Sequence, residues 1–283
     1  MDKTRFRRWT RRGAPFAAVL ALGGGVGAGV YAAVGSGSSA SPTSAAVTHA
    51  QPAAAKQTVS SLTQLYKDVT PGVVDITVTG STPNSFGFGG SQRTESEGSG
   101  FVYDTKGDIV TNAHVVDGGS SITVHFQDGK TAKATLVGAD DGSDVAVIKV
   151  DAPSSELHPL TLGDSSTVQP GIGVVAIGSP FGLPETMTAG IVSAIDRTIT
   201  APNGYSIAGA IQTDAPINHG NSGGPLLTTN GTVIGVNAQI DSDSGGNNGV
   251  GFALPINAVK SAADTLISGG KVQHAYLGVK VGN

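Results

Sequence analysis

A serine set among glycines can carry a nucleophile and the pocket for the anion it creates on the same few residues of backbone, and the run Gly220-Asn221-Ser222-Gly223-Gly224-Pro225 has that composition. A serine hydroxyl is a weak nucleophile, so it requires a base to take its proton and donors to hold the oxyanion that follows attack on a carbonyl. Gly220, lacking a Cβ, can turn its N–H inward beside that of Ser222, and Gly223 and Gly224 leave room for a substrate backbone. The run also satisfies G-x-S-x-G, an elbow that needs a helix after the serine and then an acid and a histidine downstream. Only His274 follows Ser222, and Pro225 to Val236 reads as strand, turn and strand. The partners must lie upstream.

Of the other histidines, His49 falls in a polar tether, His125 at the end of a hairpin strand, His158 beside Pro159 in a linker, and His219 on the serine loop itself, facing solvent or substrate. His114 differs, because Thr111-Asn112-Ala113-His114-Val115-Val116 takes a buried strand into a helical turn, a junction that can fix an imidazole at a barrel edge. Such a base needs an acid on its other ring nitrogen to hold the tautomer. Asp140, Asp141 and Asp144 are the local supply. Asp144 is preferred, since it stands directly before the apolar run Val145-Ala146-Val147-Ile148, where packing would bury and hold it.

The elements that must position these residues are β-strands. The chain has 283 residues, 39% hydrophobic and 13% charged, enough to bury a large core, and Val, Ile, Thr, Ser and Gly dominate over aromatics at 5%. Ser60 or Ser61 can cap a short helix with Leu62, Leu65 and Val69 on one face, stopped at Pro71. Strands are expected over 73–79, 100–103, 109–112, 122–126, 131–137 and 145–150, with a polar loop from Gly80 to Gly98 carrying Phe86 and Phe88. After a boundary near Pro153 to Ser166, further strands are expected over 171–178, 186–195, 208–212, 225–227, 232–240 and 249–254. Short strands at this spacing indicate two closed barrels in an all-β fold. Ile256, Val259, Ala263, Leu266 and Ile267 recur at helical spacing, and Gly269-Gly270 ends that helix.

Lys3, Arg5, Arg7, Arg8, Arg11 and Arg12 against Asp2 give the N-terminus a local charge of +5, so the total of −4 leaves −9 for the rest. An acidic body argues against nucleic acid as a partner. The basic cluster precedes Ala14 to Val34, 21 residues without a charge. At about 1.5 Å per residue that run spans a hydrocarbon core of about 30 Å. Two readings fit it: an uncleaved transmembrane helix with residues 1–13 cytoplasmic, favoured by length, or a signal cleaved near Ala32-Ala33. Residues 35–57, rich in Ser, Ala, Pro and Gly, read as a flexible tether. No cofactor is expected: there is no H-E-x-x-H, no phosphate-binding glycine loop with its Lys-Ser/Thr pair, and no cysteine to bind metal or form disulfides.

The order His114, Asp144, Ser222 together with several ordered blocks resembles the trypsin-like serine proteases of the HtrA (Deg) family. The blocks are 111–115, 144–149, Gly-Ser-Pro-Phe-Gly at 178–182, Gly-Ile-Val-Ser-Ala at 190–194, Gln-Thr-Asp-Ala at 212–215, 220–226 and Gly-Phe-Ala-Leu-Pro at 251–255. The resemblance implies two six-stranded antiparallel barrels over residues 58–270, with His114 and Asp144 from the first and Ser222 from the second. It implies an endopeptidase acting on unfolded or damaged exported proteins, with an oxyanion hole from Gly220 and Ser222 and with Asn221 fixing the loop. A non-proteolytic holdase with a collapsed oxyanion loop is the rival reading. In the family fold the residue six before the serine floors the primary pocket; here it is Pro216, followed by Ile217, which implies cleavage after small or medium apolar residues, Asp214 lying off that floor. Asn237-Ala238-Gln239 would pair with the substrate backbone, and a homotrimer is implied. The tail, 271–283, includes His274-Ala275-Tyr276-Leu277-Gly278-Val279, which resembles the start of a PDZ domain; either the sequence is a fragment or the domain is absent.

Overall fold

The computed structural model describes residues 62–83, 91–178, 186–202, 204–240 and 248–274, all within the unit formed by residues 51–283. The apolar run, the expected tether, Ser60 and Ser61 with their expected capping role, Phe86, Phe88 and residues 275–283 lie outside the described residues. Among the described residues no helix is long and apolar enough to cross a membrane.

Among the described residues, twelve strands form two closed six-stranded antiparallel barrels. The first consists of β1 (Val73–Pro83), β2 (Ser91–Val102), β3 (Asp108–Thr111), β4 (Ser121–Phe126), β5 (Thr131–Asp140) and β6 (Val145–Val150), paired in the order β1-β2-β3-β6-β5-β4. The second consists of β7 (Gly173–Gly178), β8 (Thr186–Thr200), β9 (Ser206–Thr213), β10 (Pro225–Thr228), β11 (Val233–Ile240) and β12 (Gly251–Pro255), in the order β10-β11-β12-β9-β8-β7.

The side-chain period of two explains why β3 is buried at every position and β6 is apolar except at Lys149. Ile109, Ala146 and Ile148 fill the first barrel with Val74, Ile76 and Val124. The alternate residues Val110, Val145 and Val147 face outward, where they meet Val175, Ile177, Leu227, Val236 and Leu254 of the second barrel. A strand buried on both faces cannot alternate polar and apolar. Lys149 escapes by reaching the buried Asp108 carboxylate at 3.0 Å. Helix α1, residues 62–69, packs Leu65 and Val69 into the same seam, as do Val259, Ala263 and Leu266 of α3 (Ile256–Ile267), whose end is turned by Gly269 at φ 77°.

The loop expected between Gly80 and Gly98 is for the most part strand. β1 and β2 pair residue for residue out to Pro83 and Ser91, whereas β4 leaves β1 at Thr79. Beyond that point the hairpin is a two-stranded ribbon outside the barrel, so its ladder forms without the apolar alternation that marks a core strand. The β8–β9 ribbon likewise overruns its expected end at Ile195, and its bulges displace the alternation.

Candidate active site

β3 delivers the chain to Asn112, and the short helix α2 (Ala113–Val116) buries Ala113, Val115 and Val116 while His114 stays partly exposed. Its side chain is 21% accessible, that of Asp144 only 1%. The imidazole Nδ1 lies 2.8 Å from Asp144 Oδ2 and 3.0 Å from Oδ1, and the backbone N–H of His114 donates to Oδ1 at 3.0 Å. An ionised carboxylate only accepts, so the proton sits on Nδ1 and Nε2 presents its lone pair outward. The Asp144 carbonyl in turn accepts from Asn112 Nδ2 at 2.9 Å and Ala113 N–H at 3.2 Å. These bonds hold Asp144 at φ 55°, a left-handed conformation that costs a non-glycine residue about 1–3 kcal/mol. Asp140, the rival acid, is engaged elsewhere: it accepts from Ser143 and lies 2.8 Å from Nε2 of His274, whose ring fills the space left by the missing side chain of Gly142.

The serine loop is two successive type II turns. Asn221 N–H donates to Asn218 O at 3.0 Å and Gly224 N–H donates to Asn221 O at 3.0 Å. Such turns need positive φ at their third residue, and the two glycines three apart supply it, Gly220 at 95° and Gly223 at 85°. Ser222 occupies the corner of the second turn. Gly223 and Gly224 do not leave space for substrate, contrary to the expectation: a Cβ on Gly223 would lie 2.1 Å from Ser99 O and 2.3 Å from Thr111 Oγ1, and one on Gly224 would lie 2.2 Å from Ile177 O. The glycines let the loop seat against the first barrel.

Ser99 of β2 grips that loop. Its N–H donates to Ser222 O at 2.8 Å, its hydroxyl to Gly220 O at 2.6 Å, and its own carbonyl accepts from Thr111 Oγ1 at 2.7 Å. A Cβ on Gly98 would touch Val115 and lie 3.3 Å from Ser222 O, while one on Gly223 would lie 3.2 Å from Asn112 N. Residues on both sides of His114 therefore border the serine loop. Ser99 was not singled out from the sequence; its signal is a lone serine between Gly98 and Gly100 at the entry to a buried strand.

Asn221 N–H is consumed within the turn, but no described residue accepts from the N–H of Gly220 or Ser222. The Ser222 hydroxyl donates to Ala238 O at 2.9 Å and makes no hydrogen bond to His114. Asn221 is buried, with Nδ2 donating to Pro216 O at 3.4 Å. Pro216 is exposed, whereas Ile217 points into the core of the second barrel among Val174, Leu226 and Ala253. Asp214 Oδ1 accepts from Ile191 N–H at 2.7 Å, which ties it to β8. The main-chain groups of Asn237 are already taken, its N–H by Gly224 O and its carbonyl by Gly223 N–H, and Ala238 forms a bulge where β11 pairs with β12 between Asn237 and Gln239. His219 is exposed and lines a cavity of about 410 Å³ with Glu95, Glu97 and Gly220. His125 meets Thr77 Oγ1 at 3.2 Å across β1 and β4, a contact within the first barrel.

The model of the trypsin-like peptidase domain family matches residues 98–236. The chain is 44% identical over 218 residues to "Protease Do-like 1, chloroplastic" of Arabidopsis thaliana, covering 77% of this chain and 50% of that protein. It is 50% identical over 193 residues to "Probable periplasmic serine endoprotease DegP-like" of Halomonas elongata, covering 68% and 40%. The chain thus spans half or less of the length of these relatives. A solved structure, "HtrA-type protease AlgW with decapeptide", superposes with a TM-score of 0.68 at 34% identity, covering 78% of this chain and 71% of that one.

Proposed function

Because the chain belongs to the HtrA family of trypsin-like serine proteases, we propose that it is a serine endopeptidase of unfolded or damaged exported polypeptides, with His114 as base, Asp144 as its orienting acid and Ser222 as nucleophile. The observation that carries the reading is the buried Asp144 carboxylate on His114 Nδ1 at 2.8 Å, which leaves Nε2 as the free acceptor beside the serine loop.

In this mechanism an extended substrate lies along Ala238 and Gln239, and a substrate N–H takes the carbonyl of Ala238. The Ser222 hydroxyl, displaced from that acceptor, swings to Nε2 of His114, gives up its proton and attacks the scissile carbonyl. The N–H groups of Gly220 and Ser222 receive the oxyanion. The imidazolium then protonates the leaving amine, and water, deprotonated by the same imidazole, hydrolyses the acyl-enzyme. Asp144 stays ionised throughout and stabilises the imidazolium. Two unengaged N–H groups on an ordered turn favour this reading over the holdase, which requires that turn collapsed.

Pro216 stands at the floor of the primary pocket and cannot pair with a cationic side chain, so a randomised peptide library is expected to be cut after Val, Ala or Leu. Cleavage mainly after Lys or Arg would overturn that specificity. A fluorophosphonate probe is expected to form one adduct, on Ser222; an unlabelled Ser222 in the folded protein would overturn the enzyme. Relatives named periplasmic and chloroplastic support an extracytoplasmic protease domain. Anchoring by residues 14–34 and a homotrimer are parts of the same proposal.

A further inference from the structure

The base and the nucleophile stand on different barrels, so something must set one against the other, because a misplacement of about 1 Å can cost on the order of a hundredfold in rate. The hydrogen bonds of Ser99 cross that seam. It is fully buried on the first barrel, and its carbonyl is held by Thr111, three residues before His114. Its N–H and hydroxyl reach the second barrel and take the carbonyls of Ser222 and Gly220, the two residues whose N–H groups are unengaged among the described residues.

We propose that Ser99 is the positioning residue of the oxyanion turn: its hydroxyl, through Gly220 O, fixes the peptide that follows Gly220 and so aims the Gly220 N–H relative to the imidazole turn. This rests on the reading of Gly220 and Ser222 as oxyanion donors. Ser99 never touches substrate. Its bond acts on the transition state alone, because the oxyanion, and not the ground-state carbonyl, needs the donor at full strength.

Ser99→Ala tests this, since it keeps the Cβ and the N–H bond to Ser222 O and deletes only the hydroxyl. Removal of a whole oxyanion donor lowers kcat by about 10²–10³, so a displaced donor is expected to lower it by about ten- to a hundredfold, with KM within about twofold. Affinity for a peptide aldehyde, which forms a hemiacetal whose oxygen occupies the oxyanion position, is expected to fall in step with kcat/KM. A merely structural serine would lower Tm and leave kcat, KM and aldehyde affinity of the folded enzyme at wild-type values, and that result overturns the proposal, as does a loss confined to KM. If Ser99→Ala does not fold, Thr111→Val, which frees the Ser99 carbonyl, must show the same kcat-selective loss, and its absence overturns the proposal. Wild-type protein that neither cuts a peptide amide nor binds the aldehyde marks failure of the endopeptidase reading instead.

Discussion

Ser222→Ala is expected to lower kcat for casein or a peptide amide by about 10⁶-fold, the scale on which removal of a serine nucleophile acts in other serine hydrolases. The substitution removes one hydroxyl whose hydrogen bond goes to Ala238 O, and nothing else in the loop depends on it. The turn geometry belongs to Gly220 and Gly223, and alanine suits the corner position that Ser222 holds. The fold is therefore retained, with a stability change of about 1 kcal/mol from the lost bond. Binding of unfolded polypeptide is expected to persist, because main-chain pairing at Ala238 and Gln239 remains. Measuring casein turnover and polypeptide binding on the same preparation separates the readings: equal turnover in variant and wild type would end the enzyme proposal, and binding without turnover in both would establish the holdase.

Asp144→Asn is the second large effect, with an expected loss of about 10⁴ in kcat and little change in KM. Asparagine is nearly isosteric and, like aspartate, tolerates the left-handed φ of 55° found here. Its Oδ1 can still accept from the His114 backbone N–H, so α2 keeps its anchor. Its amide nitrogen, however, donates where a carboxylate oxygen accepted, which drives the imidazole to carry its proton on Nε2. The ring then offers Ser222 a donor in place of a base. Kinetics with circular dichroism on the folded variant check this, and a loss below about tenfold would remove Asp144 from the proposed mechanism.

The catalytic candidates were legible because each announces itself locally. Gly220 and Gly223 flank Ser222 at the spacing that two consecutive type II turns require, and Asp144 stands at the mouth of the apolar β6. The long β1–β2 ribbon was not legible, because main-chain pairing past Thr79 needs no apolar side chains and therefore leaves no periodic signal. Gly223 and Gly224 were misread for a related reason. Their lack of a Cβ was visible, but what fills the space, Ser99, Thr111 and Ile177, comes from strands far away in the chain. The same holds for His274, a tail residue by sequence, which packs on Gly142 and pairs with Asp140. Ile217, adjacent to Pro216 in the loop between β9 and β10, belongs to the barrel core because Val174, Leu226 and Ala253, distant in the chain, close around it.

Sequence by itself determined the residue chemistry and the local backbone: which serine, histidine and aspartate are the candidates, where glycine permits positive φ, and which strands must be buried on both faces. These follow from covalent structure and from periodicities of a few residues. Only the tertiary structure decided the hydroxyl's partner, the two N–H groups of the serine loop that no described residue accepts from, and the Ser99 bridge between barrels. Each depends on groups that become neighbours only after both barrels have closed, and no local propensity encodes a distance across a seam.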